Sequence, residues 1–350
     1  MKNASYQFEP NLAAAATPPS WWYTNADFLA LEQEKVFGRT WQLAGRAEQV
    51  AEPGQFFTAE IGGESVIVVR GDDGKLRAFS NVCRHRAGPL ATGTGNCKRF
   101  RCAYHGWTYA LDGTLLGTPE FDGAKGFDHT AHLLPQFQAK TWGTLIFVNL
   151  DPDAMPLSET LEDLPGRLAD RKLARMKLAA RKEWTLNCNW KVYVDNYLEG
   201  YHIPSVHPGL NREIDYGAYY TETKRYYSIQ HSPIRREVAE RLRTGDGPHD
   251  AVLFAWLFPN LMLNVYPDNY STNLIVPLGP ERTLTVFEWY FTDPEAPATQ
   301  EKLKQTIEFS DEIQIEDIKI CEAVQKGLRS RHYSQGRYSV KRENGVHHFH

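Results

Sequence analysis

Two short loops each carry one cysteine and one histidine, as Cys83-x-His85 and Cys102-x-x-His105. Zinc is the commonest metal for two thiolates and two imidazoles, but its sites usually take the cysteines from one loop and the histidines from the other. In a [2Fe–2S] cluster, by contrast, two cysteines can hold one iron and two histidines the other, which raises the reduction potential to roughly −150 to +300 mV. The mixed loops therefore predict such a cluster, and zinc is the alternative.

A second group of ligand-type residues lies in the segment NWKVYVDNYLEGYHIPSVHP, residues 189–208. We expect a helix from about Trp184 to His202 that ends ahead of Pro204, because proline disfavours a helical conformation in the residue before it. His207 then lies on a turn and can fold back toward His202. Two histidines at a helix end can bind one metal ion and leave room for a third ligand. The alternative is a pair of ordinary surface histidines.

The third ligand can be sought on the amphipathic helix predicted for Pro297 to about Leu328. At about 100° per residue, Asp317 falls at the centre of an apolar stripe on this helix. The stripe consists of Ile313, Ile320, Cys321, Val324 and Leu328. A carboxylate that points into the core needs a partner, because an unpaired buried charge is costly. A metal ion would be such a partner, and a buried arginine or lysine is the alternative. Two histidines and one carboxylate, with open positions opposite, suit an Fe(II) that binds O₂.

The elements that must position these residues divide the chain into three parts. Residues 40–150 alternate short apolar runs with Gly and Asp-Gly turns, which predicts a small antiparallel β-domain around the cysteine–histidine loops. Residues 151–182 indicate a helical connector, and strands return around 215–290 before the long helix. The prediction is an α+β fold, with a second α+β domain over residues 151–350. Residues 1–39, with a helix capped by Asn25, are expected to pack on that second domain.

The composition excludes several classes of function. The chain has 350 residues, 42% hydrophobic and 23% charged, and its net charge is −4, so neither nucleic acid nor an anionic membrane is indicated as a partner. No window approaches the roughly 18 apolar residues of a membrane span, and the N-terminal alanine run is too short for a signal peptide. We expect a cytoplasmic protein with reduced cysteines. Three of these are expected to be buried or incidental thiols: Cys97, Cys188 and Cys321.

The pattern C-x-H-x16-C-x-x-H, followed by Gly106 and Trp107, resembles the Rieske motif. Together with His202, His207 and Asp317, it makes the chain similar to the α subunit of the Rieske non-haem iron oxygenases. The resemblance implies one [2Fe–2S] Rieske cluster and one mononuclear Fe(II) per chain, with the iron held by the two histidines and the aspartate. It also implies a helix-grip-like catalytic domain, with an antiparallel sheet and helices, in a terminal oxygenase that hydroxylates a C–H bond.

The same resemblance implies how the two centres communicate. Family members form head-to-tail rings, usually trimers, in which the cluster of one subunit lies beside the iron of the next. An acidic residue three before the first iron histidine bridges the two sites. That residue is Glu199 here, expected on the same helix face as His202 and paired with His105 of the neighbouring subunit. The alternative is a solvated carboxylate. Asp195, one turn earlier, is expected either to support the bridge or to be solvated.

The source of electrons is expected to be another protein. No G-x-G-x-x-G motif follows a strand, and no plant-type C-x4-C-x2-C run is present, so the sequence shows no site for NAD(P)H or flavin. A separate NAD(P)H-dependent reductase, a ferredoxin, or both are therefore expected as partners.

The substrate is indicated less directly. Aromatic residues make up 12% of the chain. They cluster in three runs and near three further positions: 216–220, 225–228, 254–258, Tyr266, Tyr270 and Trp289. A cage of aromatic faces binds quaternary ammonium groups by cation–π attraction, although such residues are also common in strands and cores. The runs DNYLEGYHIPSVHP and FPNLMLNVYPDNYSTNLIVPLGP resemble the branch with choline monooxygenase and the glycine betaine and carnitine oxygenases. That implies monooxygenation or N-demethylation at a carbon next to nitrogen.

Two other functions stay open at this point. Hydroxylation or O-demethylation of an aromatic acid would use the same iron chemistry with a cation for the carboxylate. Arg225, Arg235 and Arg236 are candidates for that cation. A Rieske electron carrier without oxygenase activity would need no mononuclear iron, and the His202/His207 pair with Asp317 argues against it.

Overall fold

The computed structural model describes residues 6–235 and 251–350. Two compact units are present, Leu31–Thr160 and the combination of Met1–Ala30 with Leu161–His350. Residues 31–39, expected with the second domain, group instead with the first unit. The reason is local packing: a Cβ added at Gly62, in a turn between two strands of the first unit, would lie 3.2 Å from the carbonyl oxygen of Gln33.

The first unit is built on antiparallel strands. Helix α1 (Ala26–Lys35) crosses the division between the units, as does the short α2 (Leu157–Leu161). The strands are β1 (Gln42–Arg46), β2 (Gln55–Ile61), β3 (Glu64–Arg70), β4 (Leu76–Ser80), β5 (Thr94–Asn96), β6 (Phe100–Arg101), β7 (Thr108–Tyr109), β8 (Leu115–Gly117), β9 (Gln136–Trp142) and β10 (Leu145–Asn149). They form a seven-stranded sheet in the order β1-β10-β9-β4-β3-β2-β5 and a three-stranded sheet β6-β7-β8.

The interior strand β3 explains why this unit has two apolar cores. Its β-branched run favours an extended chain, and alternate side chains point to opposite faces. Ile67 and Val69 join a cluster that contains Cys83, Cys102 and several aromatic residues. Val66 and Val68 join a second cluster. One core therefore anchors the two cysteine–histidine loops.

The second unit combines one sheet with helices. Its helices are α3 (Leu164–Arg167), α4 (Trp190–Tyr197), α5 (Ile203–Val206), α6 (Pro208–Glu213), α7 (Pro297–Leu328) and α8 (Asn344–Phe349). Its strands are β11 (Lys177–Leu186), β12 (Tyr220–Thr223), β13 (Tyr227–Pro233), β14 (Ala251–Leu257), β15 (Leu261–Val265), β16 (Asn269–Gly279) and β17 (Arg282–Phe291). The sheet is antiparallel in the order β11-β17-β16-β15-β14-β13-β12. The predicted α+β class is confirmed.

The helix predicted from Trp184 to His202 is wrong at both ends. Residues 177–186 form β11 and pair with β17, with Trp184 opposite Thr285. Asn189 begins α4 by accepting a hydrogen bond from the amide of Lys191 at 3.0 Å, and α4 ends at Tyr197. Pro204 lies near the start of α5, where its missing N–H costs nothing. The predicted helical connector is likewise replaced by strand from residue 177 onward.

The long helix forms as predicted, but its buried face is rotated from the predicted stripe. The buried positions of α7 are Leu303, Gln314, Asp317, Cys321 and Gln325. Ile320 and Val324 are 37% and 45% exposed. Two glutamines can be buried because both are hydrogen-bonded: Gln314 accepts from the hydroxyl of Tyr193, and Gln325 accepts from the amide of Asn189. In the described parts of the chain, no helix is both long and apolar enough to cross a membrane.

Candidate active site

The two cysteine–histidine loops have the same backbone conformation despite their different spacing. In the first, the amide of Cys83 donates to the carbonyl of Gly88 at 2.9 Å, and the amide of Ala87 donates to the carbonyl of Cys83 at 3.0 Å. In the second, Cys102 N–H donates to Trp107 at 2.8 Å, and Gly106 N–H donates to Cys102 at 2.9 Å. Ala87 and Gly106, at matching positions, both have positive φ. The two loops are therefore a structural pair, and each presents one cysteine and one histidine.

The four side chains meet in an arrangement that fits a two-iron cluster. The Nδ1 atoms of His85 and His105 lie 3.1 Å apart. Cys83 and Cys102 are buried. Burial raises the pKa of the Cys83 thiol, and bound iron would take the place of its proton. A Cβ on Gly88 would lie 3.0 Å from the sulfur of Cys102, so glycine keeps the approach to that sulfur open. Two thiols on one side and two imidazoles on the other match the donor set of a Rieske cluster.

The second predicted site also comes together. One ligand atom from each of His202, His207 and Asp317 lies within 4.8 Å of the other two. The Nε2 atom of His207 is 3.0 Å from Oδ1 of Asp317, and that of His202 is 4.0 Å from the same oxygen. His207 is 1% exposed and Asp317 8%. These three residues could hold a metal ion, and two imidazoles with one carboxylate suit non-haem Fe(II).

Each histidine of this triad has a carboxylate on its other ring nitrogen. Nδ1 of His202 lies 2.6 Å from Glu199, and Nδ1 of His207 lies 2.7 Å from Glu316. These contacts direct Nε2 of both rings toward Asp317. Burial lowers the pKa of His207, but hydrogen bonds and charges from Asp317 and Glu316 outweigh burial and raise it.

Glu199 contacts His202, as expected, but the two residues do not lie on one helix. Glu199 lies in the turn between α4 and α5, so it is not on a helix face shared with His202. Its Oε2 atom also accepts from the amides of Tyr201 and His202, the second at 3.0 Å, and this holds the carboxylate over its own turn. Glu199 is therefore a bonded carboxylate rather than a solvated one.

Two supporting residues were missed in the sequence. Asn196, on α4, donates from Nδ2 to Oδ1 of Asp317 at 2.7 Å. Glu316 does not belong to the predicted apolar stripe, yet it bonds to His207. The sequence signal that could have indicated Glu316 is its position next to Asp317. The two carboxylates contact opposite ring nitrogens of His207.

Asp195 contacts a cluster formed by two distant parts of the chain. The hydroxyl of Tyr23 donates to its Oδ2 at 2.8 Å. Nε2 of His350 lies 3.0 Å from its Oδ1, and Nδ1 of His350 lies 2.7 Å from the hydroxyl of Tyr338. The carboxylate is paired here, so the alternative of simple solvation does not hold. The final residues HHFH complete and cap α8, and the last of them, His350, lies in this cluster.

A cavity of about 590 Å³ adjoins the triad. Its size falls in the range of small-molecule sites. Aromatic residues line it: Tyr193, Tyr197, Tyr219, Phe254, Tyr266, Phe287, Trp289 and Phe309. Burial raises the pKa of Tyr197 and Tyr219 well above the usual value, so both phenols stay neutral.

The predicted aromatic clusters contribute unequally to this cavity. Tyr219, Phe254, Tyr266 and Trp289 line it, whereas Tyr270 stacks on another tyrosine within the sheet. The other aromatic residues of the runs 216–220, 225–228 and 254–258 do not line it. Four lining residues were missed: Tyr193, Tyr197, Phe287 and Phe309. They come from α4, β17 and α7, and no local pattern distinguishes them from core residues.

Two of the three arginines proposed for a substrate carboxylate have other contacts. Arg225 lies over the ring of Tyr226, and Arg235 donates to the backbone carbonyls of Ile214 and Asn211. Neither lines the described cavity. Arg236 falls outside the residues that the structure describes.

Sequence comparisons divide the chain in the same way. Residues 40–137 match the Rieske [2Fe–2S] domain, and residues 173–350 match the catalytic domain of the ring-hydroxylating α subunit. The first contains the cysteine–histidine loops and the second contains the triad. Both matches agree with one Rieske cluster and one mononuclear iron in each chain.

Full-length relatives are oxygenases of the same type. The chain is 37% identical to the chloroplastic choline monooxygenase of Arabidopsis thaliana, covering 98% of this chain and 84% of the relative. It is 33% identical to the carnitine monooxygenase oxygenase subunit of Escherichia coli (strain K12), covering 98% and 94%. A solved quaternary ammonium Rieske monooxygenase, described in terms of carnitine oxidation and inter-subunit electron transfer, superposes with a TM-score of 0.85 at 29% identity, covering 99% and 98%. The chain therefore belongs to the Rieske non-haem iron oxygenase α-subunit family.

Proposed function

We propose that this protein is a terminal oxygenase that hydroxylates a C–H bond next to the nitrogen of a quaternary ammonium compound. The product would be a hydroxylated amine, an aldehyde or an N-demethylated amine. The observation that carries the proposal is the cavity beside the triad, whose wall is aromatic and acidic. Relatives that act on choline and on carnitine support the same substrate class.

The charges around the cavity favour a cation. Its described lining contains the carboxylates of Glu199, Glu213, Asp268 and Asp317. The single lysine in that described lining, Lys302, forms an ion pair with Asp268, so the charges of these two residues compensate each other. Neutral aromatic faces attract a quaternary ammonium group through the ring quadrupole, by about 0.5–2 kcal/mol for each well-placed ring. A negatively charged aromatic acid would lie close to carboxylates in this cavity. Among the described lining residues, it would find no lysine or arginine that is not already in an ion pair.

The residues of the triad would hold the mononuclear iron. When bound, this iron would provide the open coordination positions at which O₂ is reduced, so that one oxygen atom of O₂ can enter the substrate. His202 and His207 can bind a metal through Nε2 because Glu199 and Glu316 accept from their Nδ1 atoms. Asn196 holds Oδ1 of Asp317, which limits rotation of the carboxylate. The aromatic wall excludes water and orients the alkyl groups of the substrate.

Electrons would reach this site from a neighbouring subunit. Cys83, His85, Cys102 and His105 would hold the Rieske cluster, and Glu199 would bond to His105 of the neighbouring subunit in a homotrimer. The position of Glu199 supports this assignment, because its carboxylate already holds His202. A separate NAD(P)H-dependent reductase, with or without a ferredoxin, would reduce the cluster. We place the protein in the cytoplasm, although the curated plant relatives are chloroplastic.

A single-turnover assay tests the proposal. The iron-loaded protein is reduced, freed of excess reductant, and mixed with O₂ and one compound at a time. The panel contains choline, glycine betaine, carnitine, stachydrine and several aromatic acids. Fast oxidation of the cluster with a quaternary ammonium compound, and a dealkylated or hydroxylated product, is the expected result. Turnover with aromatic acids alone would overturn the substrate assignment and keep the enzyme class.

Iron analysis separates the oxygenase from a simple electron carrier. A cluster and a mononuclear site together hold three irons per chain, whereas a carrier holds two. Two irons per chain in preparations with a complete cluster, and no oxygenated product, would contradict the proposal that the protein is an oxygenase.

A further inference from the structure

The turn that carries Glu199 is short and irregular. Helix α4 ends at Tyr197, α5 begins at Ile203, and Glu199 lies between them. The hydrogen bonds of its carboxylate go to His202 and to nearby amides of the same turn. Such local bonds shape the turn, but they do not fix its place relative to the rest of the unit. Contacts from another element are needed for that.

Helix α8 contacts this turn through backbone. A Cβ added at Gly345 would lie 2.5 Å from the carbonyl oxygen of Leu198, the residue before Glu199. It would also lie 3.2 Å from the side chain of Thr221. Glycine in a helix destabilises it by about 0.5–1 kcal/mol relative to alanine, so a close approach explains its presence here. The position of α8 therefore sets how far Leu198 can move.

His350 fixes the helix that leads into the turn. Its Nε2 atom lies 3.0 Å from Oδ1 of Asp195 and 2.9 Å from the hydroxyl of Tyr23, while Nδ1 bonds to Tyr338. Asp195 lies two residues before the end of α4. This partly buried carboxylate, bonded to the hydroxyl of Tyr23 and close to the imidazole of His350, resists displacement because moving it would break both contacts.

Arg342 supports the other side of the turn through Tyr219. The Arg342 guanidinium donates to the carbonyl of Tyr219 at 2.9 Å and to that of Tyr216 at 3.2 Å. The ring of Tyr219 lies against Gly200, where an added Cβ would be 2.7 Å from a ring carbon. The residues on both sides of Glu199 are thus in contact with the segment 338–350 or with residues it holds.

We propose that residues 338–350, the C-terminal clamp, position the carboxylate of Glu199 for electron transfer between subunits. The inference rests on the bridging role proposed above for Glu199. The clamp residues Gly345 and His350 are positioning residues, since they act through Leu198 and Asp195 and touch neither substrate nor metal ligand. Disturbing the clamp should therefore slow oxidation of the cluster while the mononuclear site keeps its iron.

The test measures the rate of cluster oxidation in a single turnover with O₂ and the best substrate of the panel. The variants are Gly345→Ala, whose added Cβ meets the carbonyl of Leu198, and His350→Phe, which keeps a ring and loses the three polar contacts of His350. Gly327→Ala is the matched control, because a Cβ there meets nothing within 4 Å. Glu199→Gln and the double variant Glu199→Gln/Gly345→Ala complete the set.

Both clamp variants should slow cluster oxidation at least about tenfold, since a misplacement of about 1 Å can cost up to 100-fold. Gly327→Ala should keep the wild-type rate. Iron content and the midpoint potential of the cluster should stay unchanged in the two clamp variants and in the Gly327→Ala control. In the Glu199→Gln background, Gly345→Ala should add little, because coupled positions are not additive.

The outcomes separate the clamp from the bridge. If cluster oxidation is slow in Glu199→Gln but has the wild-type rate in both clamp variants, the proposed role of the clamp is overturned and the bridging role of Glu199 stands. A wild-type rate in Glu199→Gln would overturn the bridge and, with it, the clamp. If Gly345→Ala does not fold, His350→Phe decides alone. A loss of iron that accounts for the whole loss of rate would also overturn the clamp.

Discussion

Glu316, the residue next to Asp317 on α7, accepts a hydrogen bond from Nδ1 of His207 at 2.7 Å. One turn of α7 therefore provides a proposed metal ligand and the partner of a second ligand. Glu199 has the same relationship to His202 at 2.6 Å. The triad thus has a carboxylate behind each imidazole, which fixes the tautomer and the ring orientation before any metal binds.

Glu316→Leu should weaken iron binding at the mononuclear site. Without the acceptor, His207 can rotate or present the wrong tautomer, and loss of such partners costs about 10- to 100-fold in metal affinity. Glu316→Gln keeps an acceptor and should recover most of the affinity. Fe(II) titration of the metal-depleted site gives the readout. Glu308→Leu, an exposed position on the same helix, is the control. Equal affinity in Glu316→Leu and wild type would show that His207 needs no such partner.

Cys83→Ser should abolish the visible absorbance of the Rieske cluster, because an alcohol is a poor iron ligand in place of a thiolate. Cys97→Ser is the matched control. Cys97 lies between the loops and packs at the edge of the same apolar cluster, so its substitution should leave the spectrum intact. Loss of the cluster in Cys97→Ser but not in Cys83→Ser would reverse the ligand assignment.

Trp289→Leu should weaken binding of a quaternary ammonium substrate more than binding of its neutral tert-butyl isostere. A cation–π contact is worth about 1–2 kcal/mol in a desolvated site, roughly five- to thirtyfold in affinity. Trp289→Phe should restore part of the difference. Phe291→Leu, a buried aromatic position on the same strand outside the cavity lining, controls for loss of packing. An equal loss for cation and isostere would remove Trp289 from the ammonium site.

Glu343→Gln should become more stable relative to wild type as the pH rises. Burial, with the charges of Glu199 and Asp195, raises the pKa of Glu343 above its usual 4.5. The folded state then holds this proton more tightly than the unfolded state, so wild-type stability falls as pH increases from 4.5 through the raised pKa. Glutamine is uncharged and can still accept from the amide of Ser339.

Urea unfolding of wild type and Glu343→Gln across this pH range checks the prediction. The difference in the free energy of unfolding should favour the variant and increase with pH up to a plateau. Glu308→Gln, at an exposed position, should show no such trend. A pH-independent difference for Glu343→Gln would mean that Glu343 titrates normally in the folded protein.

Much of this architecture could be predicted from the sequence, for physical reasons that differ between elements. The β-rich region of the first unit was predictable because its alternation and turns are local signals. Asp317 was predicted from the period of one helix, although the stripe chosen by hydropathy was rotated. Hydropathy could not indicate Gln314 and Gln325 as buried, since their burial depends on partners in α4 and in the preceding turn.

The remaining errors share a cause. The start of α4 was missed because β11 continues to Leu186 through pairing with β17, a contact between residues far apart in sequence. The contacts of Asp195 with Tyr23 and His350 are equally non-local. The candidate ligands could be proposed from short motifs and from the period of one helix, whereas the residues that support them from other elements could not.

The most direct test of the central claim follows the oxygen atom. The reduced, iron-loaded protein is given isotopically labelled O₂ and a quaternary ammonium substrate for one turnover, and the products are identified by mass spectrometry. The account predicts that one labelled oxygen appears in a hydroxylated amine or in the aldehyde released by dealkylation, in proportion to cluster oxidised. Cluster oxidation with unlabelled, unchanged amine would contradict it, because electrons would then reach O₂ without oxygenation of the substrate.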